Sequence, residues 1–250
     1  MSAQLERAER FVALHESDTF VIPNPWDAGS AKLLADAGFE ALATTSSGFA
    51  QTLGREDGGA TLDDVVEHVE VLTAATPLPL SVDLENGYED PARAIGRVAE
   101  AGAVGGSIED FDSGEGIYGV DLAVERVTAA VEAAHALDFP FTLTARAENH
   151  IRGNPDLDDT IARLQAYDAA GADVLYAPGL SSASDIRAVC DAVSLPVNVL
   201  AWPGLTLEAI AGAGARRVSV GGSLAWVAVG AAKTAAARLA EGDLSALRPE

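Results

Sequence analysis

The feature that most constrains this chain is a repeated unit of a short apolar or β-branched run, a polar or glycine-containing loop, and an alanine- and leucine-rich helical pattern. The unit predicts eight strands, at 20–23, 41–45, 78–82, 105–108, 141–145, 173–176, 196–200 and 217–220. Strands that alternate with helices pair in parallel, and eight such units close most simply into a (β/α)8 barrel. We therefore predict an α/β fold of the TIM-barrel type.

Amphipathic patterns between and after these strands predict the barrel helices, at 28–37, 62–75, 91–101, 122–137, 157–170, 183–193, 207–213 and 224–239. Several of them end in an Ala-Gly phrase, such as Ala101-Gly102, which is typical of a helix end followed by a C′ glycine. A further pattern at 5–15 predicts an extra N-terminal helix across the barrel bottom. No linker-like composition divides the 250 residues, so 1–250 is predicted to be one barrel domain.

The charge balance restricts the partners of the chain. Sixteen Lys and Arg stand against 38 Asp and Glu, which gives a formal net charge of −22. Phosphate-rich and anionic surfaces repel such a protein, so we expect neither nucleic acid nor membrane as a partner. The start of the chain lacks the pattern of a secretory signal and the single cysteine excludes an internal disulfide, so a cytoplasmic location is expected.

Acidic residues follow the third and fourth predicted strands, where a TIM barrel carries its active-site loops. Asp83, Glu85 and Glu109 stand there, and Asp57 lies in an earlier loop. Carboxylates held close together need a cation or shared protons, and oxygen ligands favour Mg²⁺, with Mn²⁺ as the alternative. The competing interpretation is that acidic residues are simply abundant in this chain.

Other strand ends carry groups suited to an anionic ligand. Arg146 ends the fifth predicted strand, where its planar guanidinium either clamps a substrate carboxylate or balances Glu109 or Glu148. Ser47-Gly48-Phe49 offers a hydroxyl and backbone N–H groups that could hold a carboxylate oxygen, or is a plain strand-to-loop turn. Asn198 of the seventh strand is a further candidate for substrate binding.

Two absences exclude common mechanisms. Lys32 and Lys233 are the only lysines and both fall in helical patterns, so no strand end supplies a Schiff-base lysine. The chain also has no Gly-x-Ser-x-Gly motif. Gly221-Gly222-Ser223 before the last helix resembles a phosphate site, although close packing at the barrel rim explains two glycines better.

Taken in order, these segments resemble the isocitrate lyase/phosphoenolpyruvate mutase superfamily. The segments are Asn24-Pro-Trp-Asp-Ala-Gly-Ser-Ala31, Thr45-Ser-Ser-Gly48, Asp83-Leu-Glu-Asn-Gly-Tyr88, Ile108-Glu-Asp110 and Ala145-Arg146. The resemblance implies a Mg²⁺-dependent barrel that handles small oxo-acids through an enolate-like intermediate. It further implies a homodimer or homotetramer.

The resemblance also implies a role for each matching residue. Ser47, Gly48 and Phe49 would hold the oxo-acid, and Arg146 would clamp a substrate carboxylate. Asp83 would be the principal metal ligand, and Asp57, Glu85 and Glu109 would bind metal-coordinated waters. Arg146 and Glu109 are also predicted to be catalytic.

The chain departs from the superfamily pattern in two places. The Lys-Lys/Arg-Cys-Gly-His loop of the lyases is replaced by a stretch from Phe111 to Gly119 without Lys or Cys, and the lysine of the mutase loop is missing as well. Tyr118 in that stretch is the predicted proton donor; the alternative is that it packs against the next helix. Glu85 stands where members carry Asp.

These observations favour a lyase or decarboxylase acting on a small α-oxo or 2-hydroxy carboxylate. One alternative is a phosphonopyruvate-type mutase or hydrolase. Another is a barrel that binds an oxo-acid without turnover.

Overall fold

The computed structural model describes residues 2–247, and its central element is a sheet of eight parallel strands. The strands, with the two of a separate hairpin, are β1 (Phe20–Ile22), β2 (Leu42–Ala43), β3 (Leu80–Asp83), β4 (Gly105–Glu109), β5 (Phe111–Asp112), β6 (Gly116–Ile117), β7 (Thr142–Arg146), β8 (Val174–Tyr176), β9 (Val197–Leu200) and β10 (Arg217–Ser219). The order in the sheet is β1-β10-β9-β8-β7-β4-β3-β2, the order of a barrel opened between its first two strands. All eight predicted strands and the TIM-barrel prediction are confirmed.

The barrel is closed between β1 and β2 by single contacts rather than by a ladder. Ala43 N donates to Pro23 O at 3.1 Å. Asn24 continues the seam, because its Nδ2 donates to Thr44 O and its Oδ1 accepts from the backbone N–H groups of Val220 and Gly221. One buried amide therefore joins the ends of the first, second and last barrel strands.

Ten α-helices occur among the described residues, and nine correspond to predicted ones. They are α1 (Ala3–Glu16), α2 (Ala28–Asp36), α3 (Ser46–Thr52), α4 (Leu62–Ala75), α5 (Pro91–Glu100), α6 (Val120–His135), α7 (Leu157–Ala169), α8 (Ala183–Ala192), α9 (Leu207–Gly212) and α10 (Ser223–Ala240), with a 3₁₀ turn at Leu244–Leu247. Lys32 and Lys233 lie in α2 and α10, as expected. No helix in residues 2–247 combines the length and apolarity needed to cross a bilayer.

Helix α1 covers the bottom of the barrel, as predicted. Phe11 is fully buried and packs with Ala8, Ala41 and Val104 in a small core separate from the main one. The ring approaches Gly105 so closely that a Cβ there would lie 2.8 Å from its Cε1. Glycine at position 105 is therefore what lets α1 seat against the strand.

Two elements of the carboxyl-end loops were not predicted. Helix α3 begins directly after Thr45, whose hydroxyl caps it by accepting from Gly48 N. The antiparallel hairpin of β5 and β6 follows β4 and is turned by Asp112, whose Oδ1 accepts from the N–H groups of Gly114 and Glu115. Both elements stand at the mouth of the barrel.

Candidate functional site

A cavity of about 870 Å³ opens at the carboxyl ends of the strands and extends into the barrel interior. Eight of the ten predicted site residues line it, and these are Ser47, Asp57, Asp83, Glu85, Glu109, Tyr118, Arg146 and Asn198. Each barrel strand ends at this face, so residues far apart in sequence converge there. Gly48 and Phe49 do not belong to the wall.

Arg146 at the end of β7 is the centre of the site. Its Nη1 lies 2.8 Å from Asp83 Oδ1, and its Nη2 lies 2.8 Å from Glu109 Oε2 and 2.9 Å from Glu148 Oε1. Burial alone would lower the pKa of Arg146, but Glu109, Glu148 and Asp83 raise it well above its usual value. The structure is compatible with both predicted roles of Arg146, as a counter-ion and as a substrate clamp. Its guanidinium balances Glu109 and Glu148, and it also faces the cavity.

Two residues of this network, Glu148 and Arg152, were not among the predicted site residues. Glu148 is almost fully buried, and its backbone N–H donates to Asp110 Oδ1, which fixes its position. Arg152 reaches back over the cavity, with its Nε 3.2 Å from Glu148 Oε2 and its guanidinium 3.8 Å above the ring of Phe111. The sequence Arg146-Ala-Glu148 indicates that Glu148 lies near the site. The position of Arg152 over the cavity could not be predicted, because it depends on the conformation of the loop after β7.

Negative charge exceeds positive charge at the mouth. Eight carboxylates line the cavity, those of Asp57, Asp83, Glu85, Glu89, Glu109, Asp112, Glu115 and Glu148, against the guanidinium groups of Arg146, Arg152 and Arg217. Burial raises the pKa of Glu85 to about 7, and Asp83 and Asp57 add to the effect. Burial, with Glu148 and Asp83, also raises the pKa of Glu109. The carboxyl groups of the site therefore do not all ionise unless a further cation binds beside them.

The donor set fits a divalent cation. Oxygen ligands suit Mg²⁺. In the part of the chain that the structure describes, Glu85 Oε1 is buried with no hydrogen-bond partner, so it retains an unused acceptor. Within residues 2–247, no three acidic, His or Cys side chains stand close enough to form a ready cation cage. A cation here would consequently keep much of its coordination for water or for an oxo-acid, which is how Mg²⁺ is usually bound.

The loop after β3, which carries Glu85, is held in a strained conformation. Glu85 and Tyr88 have φ of 51° and 58°, in the left-handed region that costs about 1–2 kcal/mol for residues other than glycine. Arg126 of α6 offsets this strain by donating to the carbonyl oxygens of Asn86 and Tyr88. Strain of this kind is characteristic of functional sites.

Helix α3 places only one of its three predicted ligand residues at the cavity. Ser47 lines the wall, and a Cβ on Gly222 would lie 2.7 Å from its Oγ, which supports close rim packing for that glycine. The N–H groups of Gly48 and Phe49 donate to Thr45, and the Phe49 ring stacks on His68 at 3.9 Å. The expected cradle of amides is therefore reduced to Ser47, because the helix uses the other two internally.

Tyr118 follows the hairpin and lines the cavity. Its hydroxyl accepts from Asn86 Nδ2 at 2.9 Å, and the same amide nitrogen donates to Asp112 Oδ2 at 3.0 Å. Burial raises the pKa of Tyr118, so the phenol is protonated at neutral pH. Because the hydroxyl oxygen accepts from Asn86, its own proton is free to be donated towards the cavity.

Comparison with known proteins shows where this architecture recurs. The sequence-family model described as Phosphoenolpyruvate phosphomutase matches residues 11–240. A Burkholderia cenocepacia J2315 protein named as a lyase/mutase has 53% identity and a TM-score of 0.94, over 98% of this chain and 91% of that one. An oxaloacetate acetylhydrolase in complex with oxalate has 25% identity and a TM-score of 0.88, over 98% of this chain and 92% of that one.

Two named enzymes are related in sequence. The 2-methylisocitrate lyase of Escherichia coli K12 is 32% identical over 200 residues, 74% of this chain and 66% of that protein. The oxaloacetate decarboxylase of Paraburkholderia xenovorans LB400 is 31% identical over 203 residues, 76% of this chain and 67% of that protein. The chain thus spans about two thirds of the length of these two enzymes.

Proposed function

The chain belongs to the phosphoenolpyruvate phosphomutase family and is an enzyme of its lyase and mutase type, and from that premise we propose that it breaks a carbon–carbon bond in a small α-oxo or 2-hydroxy carboxylate with the help of Mg²⁺. Cleavage and decarboxylation both belong to this proposal. The observation that carries it is the convergence of Asp83 and Arg146 on one cavity, 2.8 Å apart.

Asp83 is the residue proposed to hold the cation, with Glu85, Glu109 and Asp57 acting through water. Asp83 Oδ2 is oriented by the N–H of Ser46 at 3.0 Å, so the side chain has little freedom to turn away. When bound, Mg²⁺ or Mn²⁺ would supply Lewis-acid stabilisation of negative charge that develops on the oxo-acid.

Arg146 and Ser47 are proposed to bind and orient the substrate. Arg146 has five N–H donors. Among residues 2–247, its contacts with Asp83, Glu109 and Glu148 leave one N–H of Nη1 without a partner. A carboxylate of the substrate can take that donor and compete with the acidic partners for the others. Asn198, lower on the wall, is proposed as a further substrate contact.

Tyr118 is proposed as the group that donates a proton to the carbon chain after bond cleavage. Glu109, which contacts Arg146, is proposed as a separate catalytic acid that exchanges protons. We expect Tyr118→Phe to lower turnover by about 10²-fold, the usual size of a lost general acid, with little change in substrate affinity. Steady-state kinetics of the variant measure this. Unaltered kcat would remove Tyr118 from the mechanism and leave it a packing residue.

Oxalate, a planar dianion that resembles a small enolate, tests the binding half of the proposal. We expect Mg²⁺ to increase the rise in unfolding temperature that oxalate produces, because binding to the native state stabilises it by mass action. Asp83→Asn should abolish this Mg²⁺-dependent increase, whereas Asp63→Asn, on the exposed face of α4, should keep it. An oxalate shift of the same size with and without Mg²⁺ in the wild type would contradict the proposal.

Turnover assays separate the lyase proposal from its main competitor. Release of CO₂ or pyruvate from oxaloacetate supports carbon–carbon cleavage, whereas release of phosphate from phosphonopyruvate supports phosphonate chemistry, which the family match favours by name. Mg²⁺-dependent oxalate binding without turnover of any oxo-acid would favour the binding-only barrel. We also propose a homodimer or homotetramer, since α10 buries only Ala225 of its 18 residues.

A further inference from the structure

A buried arginine lies at the floor of the cavity, below the site described above. Arg217 opens β10, is 4% exposed, and points into the barrel where it lines the same cavity. Its Nε donates to Asn198 Oδ1 and its Nη2 to Thr144 Oγ1, each at 2.9 Å, and its Nη1 lies 3.3 Å from His15 Nε2. These contacts use three of its five N–H donors.

None of the partners of Arg217 carries a compensating charge. His15 is neutral, because burial and the charge of Arg217 lower its pKa to about 3. Burial lowers the pKa of Arg217 to about 10, which leaves the guanidinium charged at neutral pH. Arg146 and Arg163 are also buried, but each contacts at least two carboxylates, whereas Arg217 forms no ion pair within residues 2–247. A buried charge without a counter-ion is costly, so this one calls for an explanation.

The space above Arg217 is built from small polar side chains. A TIM-barrel interior is usually filled by bulky branched residues. Here the inward positions next to the floor are Ser81, Ser107 and Ser219, and the cavity reaches all three. Thr144 lies two residues before Arg146 on β7, which places the contact of Arg217 about 6.6 Å below the mouth along the strand.

We propose that Arg217, with Asn198 and Ser219, forms a second anion site that binds a carboxylate at the cavity floor without a metal. The guanidinium supplies the charge and two free N–H donors, and Ser219 supplies a hydroxyl, since its Oγ accepts from Asn198 Nδ2 at 3.0 Å. The carboxylate has two possible sources, a separate small anion or the far end of a dicarboxylate whose other end lies near Arg146. The metal-free site itself does not depend on the function proposed above, whereas the dicarboxylate as its source rests on that function.

Formate in the presence of EDTA tests the site, at constant ionic strength set with the large HEPES anion. We expect formate to raise the unfolding temperature of the wild type saturably, and Arg217→Met to weaken its binding at least tenfold. Arg216→Met removes the same positive charge from the exposed neighbouring position, so it controls for screening of the acidic surface by the added salt. It should bind formate with the affinity of the wild type. The proposal would be overturned if formate raised the unfolding temperatures of Arg217→Met and Arg216→Met equally, or if it left that of the wild type unchanged. Because EDTA is present, failure of the metal site cannot produce either result.

Asn198→Asp keeps the proposal testable if Arg217→Met does not fold. The new carboxylate is isosteric and lies against Arg217 Nε, so it should act as an internal counter-ion. We expect a higher unfolding temperature than that of the wild type and formate binding at least tenfold weaker. Wild-type formate binding in Asn198→Asp would contradict the proposal.

Longer and shorter probes with Mg²⁺ identify the source of the carboxylate. If the carboxylate is the tail of the substrate, Arg217→Met should weaken the binding of 2-oxoglutarate at least tenfold and leave the Mg²⁺-dependent binding of oxalate unchanged. Formate should then also compete with 2-oxoglutarate for binding. If the carboxylate is a separate anion, formate binds equally well with and without 2-oxoglutarate. Both results support the site; formate binding that survives Arg217→Met excludes it.

Discussion

At the residue scale, Arg146 organises acids from two strand ends and one loop into a single network. A guanidinium can contact several carboxylates at once because its donors lie in a planar fork, whereas an ammonium is a point charge. Asp83, Glu109 and Glu148 lie within 3 Å of its nitrogens, so their positions depend on one side chain.

Arg146→Lys should therefore impair function although the charge is kept. We expect kcat/KM to fall by about 10²-fold, the size expected for loss of a preorganised donor, because lysine cannot hold three acids and a substrate carboxylate together. Steady-state kinetics give the change, and far-UV circular dichroism checks the fold. Arg97→Lys, on the surface of α5, serves as the matched control, and similar activity of both variants would argue against a substrate role for Arg146.

His68 gives a prediction about pH. Burial lowers its pKa from 6.5 to about 4, so between these values the unfolded chain binds a proton that the folded protein does not. Stability contributed by neutral His68 is then present above pH 6.5 and lost as the pH falls towards 4, by roughly 1.4 kcal/mol per pH unit. His68→Phe removes this loss and keeps an aromatic ring against Phe49.

Denaturant titrations of both proteins between pH 7 and pH 4 measure the difference. The free energy of unfolding of His68→Phe relative to the wild type should rise by roughly 3 kcal/mol across this range. Glu85 and Glu109, whose pKa values are raised, act in the opposite direction, but they do so in both proteins and cancel. Parallel stability curves would show that His68 is not kept neutral by the fold.

At the element scale, the strained loop after β3 is positioned by α6. Arg126 lies outside the cavity wall, yet it bonds the carbonyl oxygens of Asn86 and Tyr88 on either side of Gly87. We expect Arg126→Met to weaken Mg²⁺-dependent oxalate binding about tenfold, because Glu85 loses the loop conformation that aims it. Isothermal titration calorimetry measures this affinity.

The control for this loop is Arg93→Met, which removes an exposed arginine from α5, the helix that follows the same loop. It should leave oxalate affinity unchanged. Arg126→Lys should restore part of the affinity, since an ammonium can still bond one carbonyl. Wild-type affinity in Arg126→Met would show that the loop keeps its conformation without α6.

The sequence predicted the regular elements of this fold and missed the irregular ones at the mouth. β-branched runs and Ala-Gly helix ends repeat along the chain, and each predicted strand lies within a few residues of an observed one. Helix α3 was not predicted because its sequence, SSGFAQT, contains residues of low helix propensity and is only seven residues long. The hairpin of β5 and β6 has two residues in each strand, too few for an alternating pattern.

The acidic set and Arg146 could be predicted because the fold assigns chemistry to strand ends. The return of Arg152 over Phe111 and the isolation of Arg217 could not, since both depend on which side chains meet across the barrel. In the sequence, Arg217 is one basic residue at the start of a strand. It becomes informative only because no acidic side chain in residues 2–247 pairs with it.

At the scale of the whole molecule, a net charge of −22 opposes self-association everywhere except where acids are missing. Helix α10 contains no Asp or Glu and carries Lys233 and Arg238. It also exposes Trp226 and Val227, which are 49% and 69% accessible. Exposed apolar residues on a helix without acidic side chains are what an interface between copies of this chain requires.

Val227→Glu tests this whole-molecule prediction, because burying an added carboxylate in an apolar interface is strongly unfavourable. Sedimentation equilibrium should show the wild type as a dimer or tetramer and Val227→Glu as a smaller species with an unchanged circular dichroism spectrum. Leu33→Glu places the same charge on α2 at a leucine that is 65% exposed, so general repulsion alone would affect both variants alike. A monomeric wild type, or equal dissociation of the two variants, would exclude α10 as the interface. Dissociation by Val227→Glu alone would instead show that the acid-free helix carries the assembly, since only there does the added charge meet a buried apolar surface.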